Sequence, residues 1–403
     1  MTAITPRVTF GRLARSNAVT RLADRIATRP RLPRPPAFIV VCATVGVLNI
    51  VGLVMILSAS SVASLSSYGT AWFFFERQLM WATLGCIAFV CAARIDYRRW
   101  RRASPFVLAA TVALLIVVLA VGENVYGSRR WLGIGSYGVQ PSELAKLALV
   151  VCAAQVLSVR TDRLSDPRAW RPVLMLLAVF AVLVMMEPDL TSTVVLAVIA
   201  FASLIVAGVA NKDLLKLSLY ALSGTVVLAM AAPYRRSRML GFLHPSGDPA
   251  NSTYQIRQSL IAVGSGGLNG VGLGAGRAKW LFLPNAHTDF IFAIVGEELG
   301  FVGSLLVLGL FAGFGLVGFR VALRAPDRFG TLVAAGVTAW ITGEAVINLG
   351  AVVGVLPVSG VPLPFLSVGG SSLVITMIGA GVLANIARQS GSEPREQAPS
   401  RSS

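Results

Sequence analysis

Between residues 38 and 388 the chain is a succession of apolar runs, most of them roughly 20 residues long, the length that carries one helix through the hydrocarbon core of a bilayer. Inside a bilayer every backbone N–H and C=O must be satisfied within the segment, so runs of this kind fold as helices. The spans read as 38–58, 78–94, 105–122, 143–158, 172–187, 191–209, 217–233, 290–318, 331–352 and 371–387. Composition agrees: the 403 residues are 55% hydrophobic and only 13% charged, with a mean hydropathy of +0.73. The expected fold class is an all-α polytopic membrane protein of about ten transmembrane helices. No internal repeat or separable soluble domain is visible. The expected domains are a basic tail over 1–37, a transmembrane domain over 38–388 and a disordered tail over 389–403.

A net charge of +17 would suggest nucleic-acid binding in a soluble protein. Here most of the Lys and Arg fall in the tails and in alternate loops, among them 94–102, 160–171, 212–216 and 320–328. That is the positive-inside pattern, and no basic stripe interleaved with aromatics accompanies it, so nucleic acid is not an expected partner. Both termini are expected in the cytoplasm, with the chain in the inner membrane. The first 36 residues read as a retained tail and not as a signal peptide. Segments 59–77, 123–142, 234–289 and 353–370 then face outward, the third being a large extracytoplasmic loop between spans 7 and 8. Cys42, Cys86, Cys91 and Cys152 lie in apolar runs and match neither a disulfide framework nor metal spacing.

The outward segments hold nearly all the unusual sequence. Tyr254-Gln255-x-x-Gln258-Ser259 precedes a glycine-rich run from Gly264 to Gly276, then Lys279 and Leu283-Pro-Asn-Ala-His-Thr-Asp289. Glycine lets a backbone approach a ligand and offers N–H groups to phosphate, although a merely flexible loop has the same composition. Asp289 opens an apolar run, where it is either a helix cap or first-turn acid, or a general base at the water–lipid boundary. Glu297 and Glu298 lie further along the run, where a carboxylate costs about 3 kcal/mol or more. Eight residues of helix separate Asp289 from Glu297 by about 12 Å, a poor spacing for a paired acid and base, so Glu297 reads as an interior ion-pair partner ahead of a direct substrate role. Arg129 and Arg130 precede Gln140-Pro141-Ser142-Glu143-Leu-Ala-Lys146. Glu143 and Lys146 are spaced to pair along a helix. Arginines and an intramembrane lysine here could also grip a pyrophosphate, or the arginines could simply snorkel. Glu187-Pro188-Asp189 breaks two spans, and the Pro/Gly-rich 356–372 must be buried in protein or line a cavity.

These blocks together resemble the SEDS family (shape, elongation, division and sporulation), typified by FtsW and RodA. The resemblance runs from about residue 45 to 388. It is carried by Leu57-Ser-Ala-Ser60, Phe75-Glu-Arg-Gln78, Arg130-Trp131, Gln140 to Lys146, Glu187-Pro-Asp189, Tyr254 to Ser259, His287 to Gly300, and Pro362-Leu-Pro364-Phe365. Ile294-Val-Gly-Glu-Glu-Leu-Gly300 and the basic tail favour the FtsW branch over RodA. The resemblance implies a peptidoglycan glycosyltransferase that polymerises lipid II with inversion, acting in septal wall synthesis during cell division. Its donor would be the undecaprenyl-pyrophosphate-linked glycan. The alternatives are an elongation polymerase of the RodA type, a lipid II flippase or transporter, or a scaffold. The resemblance also implies a class B penicillin-binding protein as partner, beside other division proteins. Asp289 is then the essential catalytic aspartate; Arg130, Lys146, Lys279, Gln258 and Ser259 are the expected substrate contacts, and Glu143, Glu297, Glu298 and Pro364 the supporting residues. A divalent cation (Mg2+ or Mn2+) is a candidate cofactor. Gly276, His244, Glu344 and Val368 depart from residues common at the matching positions.

Overall fold

The structure, a computed structural model, describes residues 37–390 apart from 126–127, 135–136, 161–165, 233–235, 238–241, 243–251, 281, 285 and 359. Of the expected tails, 1–37 and 389–403, residues 1–36 and 391–403 lie outside the described residues, as does His244. In chain order the elements are α1 (Ala37–Tyr68), α2 (Phe73–Arg94), α3 (Arg98–Val121), strands β1 (Glu123–Val125), β2 (Ser128–Ile134) and β3 (Tyr137–Val139), then α4 (Pro141–Val159), α5 (Pro167–Met186), α6 (Leu190–Ala207) and α7 (Asn211–Ala231). There follow α8 (Ser252–Ser265), α9 (Ile291–Leu323), α10 (Arg328–Val352) and α11 (Ser371–Gln389). All but α8 are long and apolar enough to cross a membrane, which makes ten candidate spans among the described residues.

Local chemistry sets several of the helix starts. Pro141 and Pro167 occupy first-turn positions, where a missing N–H costs nothing. Asp166, Asp189 and Asp327 cap α5, α6 and α10 by accepting backbone N–H groups from Arg168, Ser192 and Gly330 at 2.9, 3.0 and 2.7 Å. The centre of the bundle is α4, α10 and α11, each 72% buried over its most apolar window, whereas α7 is 6% buried and belongs to the lipid boundary. Around the centre, α2 packs on α11, α3 on α4, α6 on α10, and α1 on α9. Chain alternation puts the sheet, α8 and Asp289 at one end of the bundle, and the Arg98–Arg102 turn with Asp327 at the other.

The structure refines four expectations. Residues 59–68 continue α1 and are not loop. Their Ser and Ala content dilutes the hydropathy, while Ser60 and Ser61 donate back to the carbonyls of Ile56 and Ser58 at 2.7 and 2.9 Å, so the helix persists. Segment 123–142 holds a small antiparallel sheet ordered β1-β2-β3, with Leu132 opposite Val139. Segment 234–289 holds the helix α8. Finally, the run 290–318 is one candidate span but not one straight helix, because Gly300 kinks α9 with φ +67° and ψ −162°.

Candidate active site

Asp289 is half-buried and sits just before Phe290, which holds the N-cap position of α9 without a side-chain capping bond. The cap position is therefore not Asp289's. What distinguishes the segment is how its backbone is held. The carbonyls of His287, Thr288 and Asp289 accept, in turn, the Val368 N–H at 3.1 Å, the Ser367 hydroxyl at 2.6 Å and the Asn348 amide at 2.8 Å. Asn348 also donates to Val361 O at 2.7 Å, and the Ser367 hydroxyl accepts the Leu363 N–H at 2.8 Å. The backbone at 287–289 is thus tied to the Pro-rich loop 360–369, directly through Ser367 and Val368 and indirectly through Asn348 of α10, which also holds Val361. Such ties fix the Cα position from which the Asp289 side chain projects.

That loop is irregular backbone sunk into the bundle, with Leu363–Ser367, including Pro364, buried. Gly52, midway along α1, makes room for it: a Cβ there would lie 2.6 Å from Phe365 O and 2.8 Å from Leu366 Cα. Gln78 of α2 donates to Ser367 O at 3.3 Å. Phe365 is held at φ +66°, a strained conformation for a residue with a Cβ. The His287 ring lies 4.6 Å from that of Phe74, and burial lowers its pKa to about 4, so it is neutral at physiological pH.

The glycine-rich run answers the break in α9. Around Gly300 the helix loses its own hydrogen bonds, and the run supplies replacements. Val271 and Gly272 donate to Glu297 O and Glu298 O at 3.0 and 3.1 Å, and Phe301 and Val302 donate to Gly267 O and Leu268 O at 2.9 and 3.2 Å. The run is a docked structural element, not a free phosphate cradle. The Glu297 carboxylate takes the N–H groups of Arg277 and Ala278 at 2.7 and 3.3 Å, in place of the interior ion pair expected of it. The ion pair belongs to Glu298. Its carboxylate meets Lys279 Nζ at 3.1 Å and accepts the Ser58 hydroxyl at 2.6 Å, while Lys279 also donates to Gly274 O at 2.6 Å.

Lys279 is thus a buried cation matched to an internal carboxylate. Lys146 is another: buried in the core, it pairs with Glu143 at 2.7 Å and with Glu344 of α10, under the Trp340 ring. Ser259 is fully buried and donates to Val352 O at 2.8 Å, so it ties α8 to the end of α10. Gln258 on α8 is half-buried. Arg130 on β2 is partly exposed and donates Nε to Glu187 O at 2.7 Å and Nη2 to Pro188 O at 2.6 Å, gripping the α5–α6 break. Asp189 in that break accepts from Gln140 Nε2 at 3.2 Å, and Gln140 N–H donates to Ser371 at the start of α11 at 3.0 Å. Sequence reasoning passed over Asn348 and Ser367. Asn348 carried a readable signal, since a polar side chain inside an apolar run marks a partner or a function.

Among the described residues no three His, Cys, Asp or Glu side chains converge to hold a metal ion.

Ten candidate spans gathered on three buried helices, with an aspartate on a pinned backbone and two docked irregular segments at one end, define a polytopic membrane protein with a polar site at one end of its bundle. Residues 38–392 match the family model described as "Cell cycle protein", that of FtsW, RodA and SpoVE, and the chain belongs to this family. Stage V sporulation protein E of Bacillus subtilis is 41% identical over 358 residues, covering 88% of this chain and 98% of the relative. The probable peptidoglycan glycosyltransferase FtsW of Geobacter metallireducens is 39% identical over 346 residues, covering 85% and 92%. Among solved structures, a chain from a study entitled "Structural coordination of polymerization and crosslinking by a peptidoglycan synthase complex" matches with a TM-score of 0.73 and 29% identity, covering 88% of this chain and 98% of that one. Rod shape determining protein RodA of Thermus thermophilus matches with a TM-score of 0.65 and 27% identity, covering 88% and 97%.

Proposed function

We propose that the protein is a peptidoglycan glycosyltransferase that polymerises lipid II, with Asp289 as general base. The observation that carries the reading is the clamp on three consecutive carbonyls, which holds Asp289 at the loop-bearing end of the bundle. The 4-hydroxyl of the acceptor sugar is a poor nucleophile at neutral pH. As its oxygen attacks the anomeric carbon of the donor, its proton passes to the Asp289 carboxylate. The bond from that carbon to the pyrophosphate oxygen breaks, its electron pair leaves with the undecaprenyl pyrophosphate, and the anomeric configuration inverts. Because Lys146 and Lys279 are matched to carboxylates, we assign them to the frame of the site. Arg130 remains the candidate cation for the leaving group, and Gln258 a candidate hydrogen-bonding contact. A divalent cation would enter on the substrate pyrophosphate.

Two names among the relatives, FtsW and SpoVE, and the likeness to RodA support wall synthesis without selecting its place; the septal role in cell division is our reading from the FtsW-like stretch at Ile294–Gly300. The synthase-complex likeness supports a class B penicillin-binding protein as partner. Purified protein with that partner, labelled lipid II and Mg2+ should make glycan strands. Asp289→Asn keeps size and hydrogen bonding but cannot take a proton, so polymerisation should fall by roughly 10²–10⁴ while membrane insertion and partner binding persist. Strand synthesis by the Asn variant within about threefold of wild type would place the base elsewhere. Lipid movement across vesicles without strands would favour a flippase instead.

A further inference from the structure

At the end of the bundle opposite Asp289 lies a cavity of about 520 Å³, between the start of α3 and the start of α10. Arg98, Arg101 and Arg102 line it, facing Asp327. Asp327 is already committed, since Oδ1 accepts the Gly330 N–H at 2.7 Å and Oδ2 accepts Arg98 Nε at 3.2 Å. Asp96 also approaches Arg98, at 3.9 Å. Arg101 and Arg102 are exposed, and among the described residues neither has an acidic partner. They stand at the positive end of the α3 dipole, with no acid in the first turn to offset them. The remaining walls are mixed: Pro105 and Phe329 are apolar, and Gln155 offers an amide. The next residue along α3, Phe106, is 77% exposed on a membrane-spanning helix.

We propose that this cavity binds the headgroup of an anionic phospholipid. The phosphate sits between Arg101 and Arg102, whose guanidinium forks match its oxygens, while the glycerol and first acyl carbons lie over Pro105 and Phe106. Arg98 is spent on Asp327 and orients the wall. Basic pockets between transmembrane helices are a recurrent site for such headgroups, and the apolar lip distinguishes a lipid from a free phosphate.

The test is native mass spectrometry of the full-length protein, titrated with phosphatidylglycerol or phosphatidylcholine of matched chains. Wild type should retain phosphatidylglycerol preferentially. Arg101→Gln and Arg102→Gln should each weaken that retention by roughly fivefold, and the two together by roughly 25-fold, leaving Arg98 and its ion pair in place. Both side chains are exposed, and an unchanged melting temperature will confirm that the variants fold. A second arm adds inorganic phosphate. Retention that survives millimolar phosphate supports a lipid site, and full displacement by it means a soluble-anion site and overturns the assignment. Equal retention of the two lipids, or double-variant binding equal to wild type, also overturns it.

Discussion

Lys146 is held in the core of α4 by charge balance, with Glu143 and Glu344 on either side and almost no solvent. Removing the cation would leave two carboxylates buried without a partner, a loss typically of about 3–5 kcal/mol. Lys146→Met should therefore lower the melting temperature sharply, whereas Glu344→Gln, which keeps a hydrogen-bond acceptor and removes the surplus charge, should leave it unchanged or raise it. Equal melting of the two variants would mean that the triad contributes little. The Glu143–Lys146 spacing was legible along the helix, but Glu344 was not, because a neighbour nearly 200 residues away leaves no local signature. Glu187 is a second case. It is fully buried, and neither carboxyl oxygen has a hydrogen-bond partner among the described residues. Burial first, then the charge of Asp189, push its pKa from 4.5 to about 8 against the pull of Arg130. Below pH 4.5 the folded and unfolded chains both hold this proton; between 4.5 and about 8 the folded chain alone keeps it. Its contribution to stability is therefore lost as pH rises through that window. His287, lowered to about 4 from 6.5, acts with the opposite sign as pH falls, so the comparison must be between variants. Melting curves of Glu187→Gln should decline less than wild type between pH 5 and 8. Parallel curves would mean that Glu187 titrates normally.

Among the elements, α9 and the glycine run are folded by each other. The break at Gly300 frees carbonyls and N–H groups within the bundle, and residues 267–272 take them up. The backbone angles at Gly300 belong to a region nearly exclusive to glycine, and a Cβ there would overlap the backbone nitrogen of Gly270. Gly300→Ala should cost at least about 1–3 kcal/mol from strain alone, visible as a lower melting temperature, with polymerisation reduced as the Glu298–Lys279 pair shifts. Wild-type melting would show that α9 can run straight through this point. Hydropathy located the run 290–318 but could not see the break, since Gly296 and Gly300 are ordinary residues in a membrane helix. Segment 356–372 was different, because its prolines and glycines announced an irregular segment that had to be buried in protein. Its depth, half-way down α1 at Gly52, came only with the packing.

For the whole molecule, the Lys/Arg asymmetry predicts both termini in the cytoplasm and the α7–α9 loop outside. Reporter fusions after Ser390 should read cytoplasmic and those within 244–252 external; an external signal at Ser390 would refute an even number of spans. The number, order and class of the spans were determined by the sequence alone, because the cost of unsatisfied backbone in lipid is local and sums along each run. The block from His287 to Gly300 and the Gln140–Lys146 block likewise marked where buried charge concentrates. Which polar groups would be spent on one another was decided only by the tertiary structure. Lys146, Lys279 and Ser259 look alike in sequence to groups open to a ligand, and each is consumed by an internal partner. The physical reason is that a buried charge or donor must be satisfied by whatever the fold brings within about 3 Å, and such partners come from distant helices. Asp289 took its position the same way, from Asn348 on α10 and Ser367 in the Pro-rich loop.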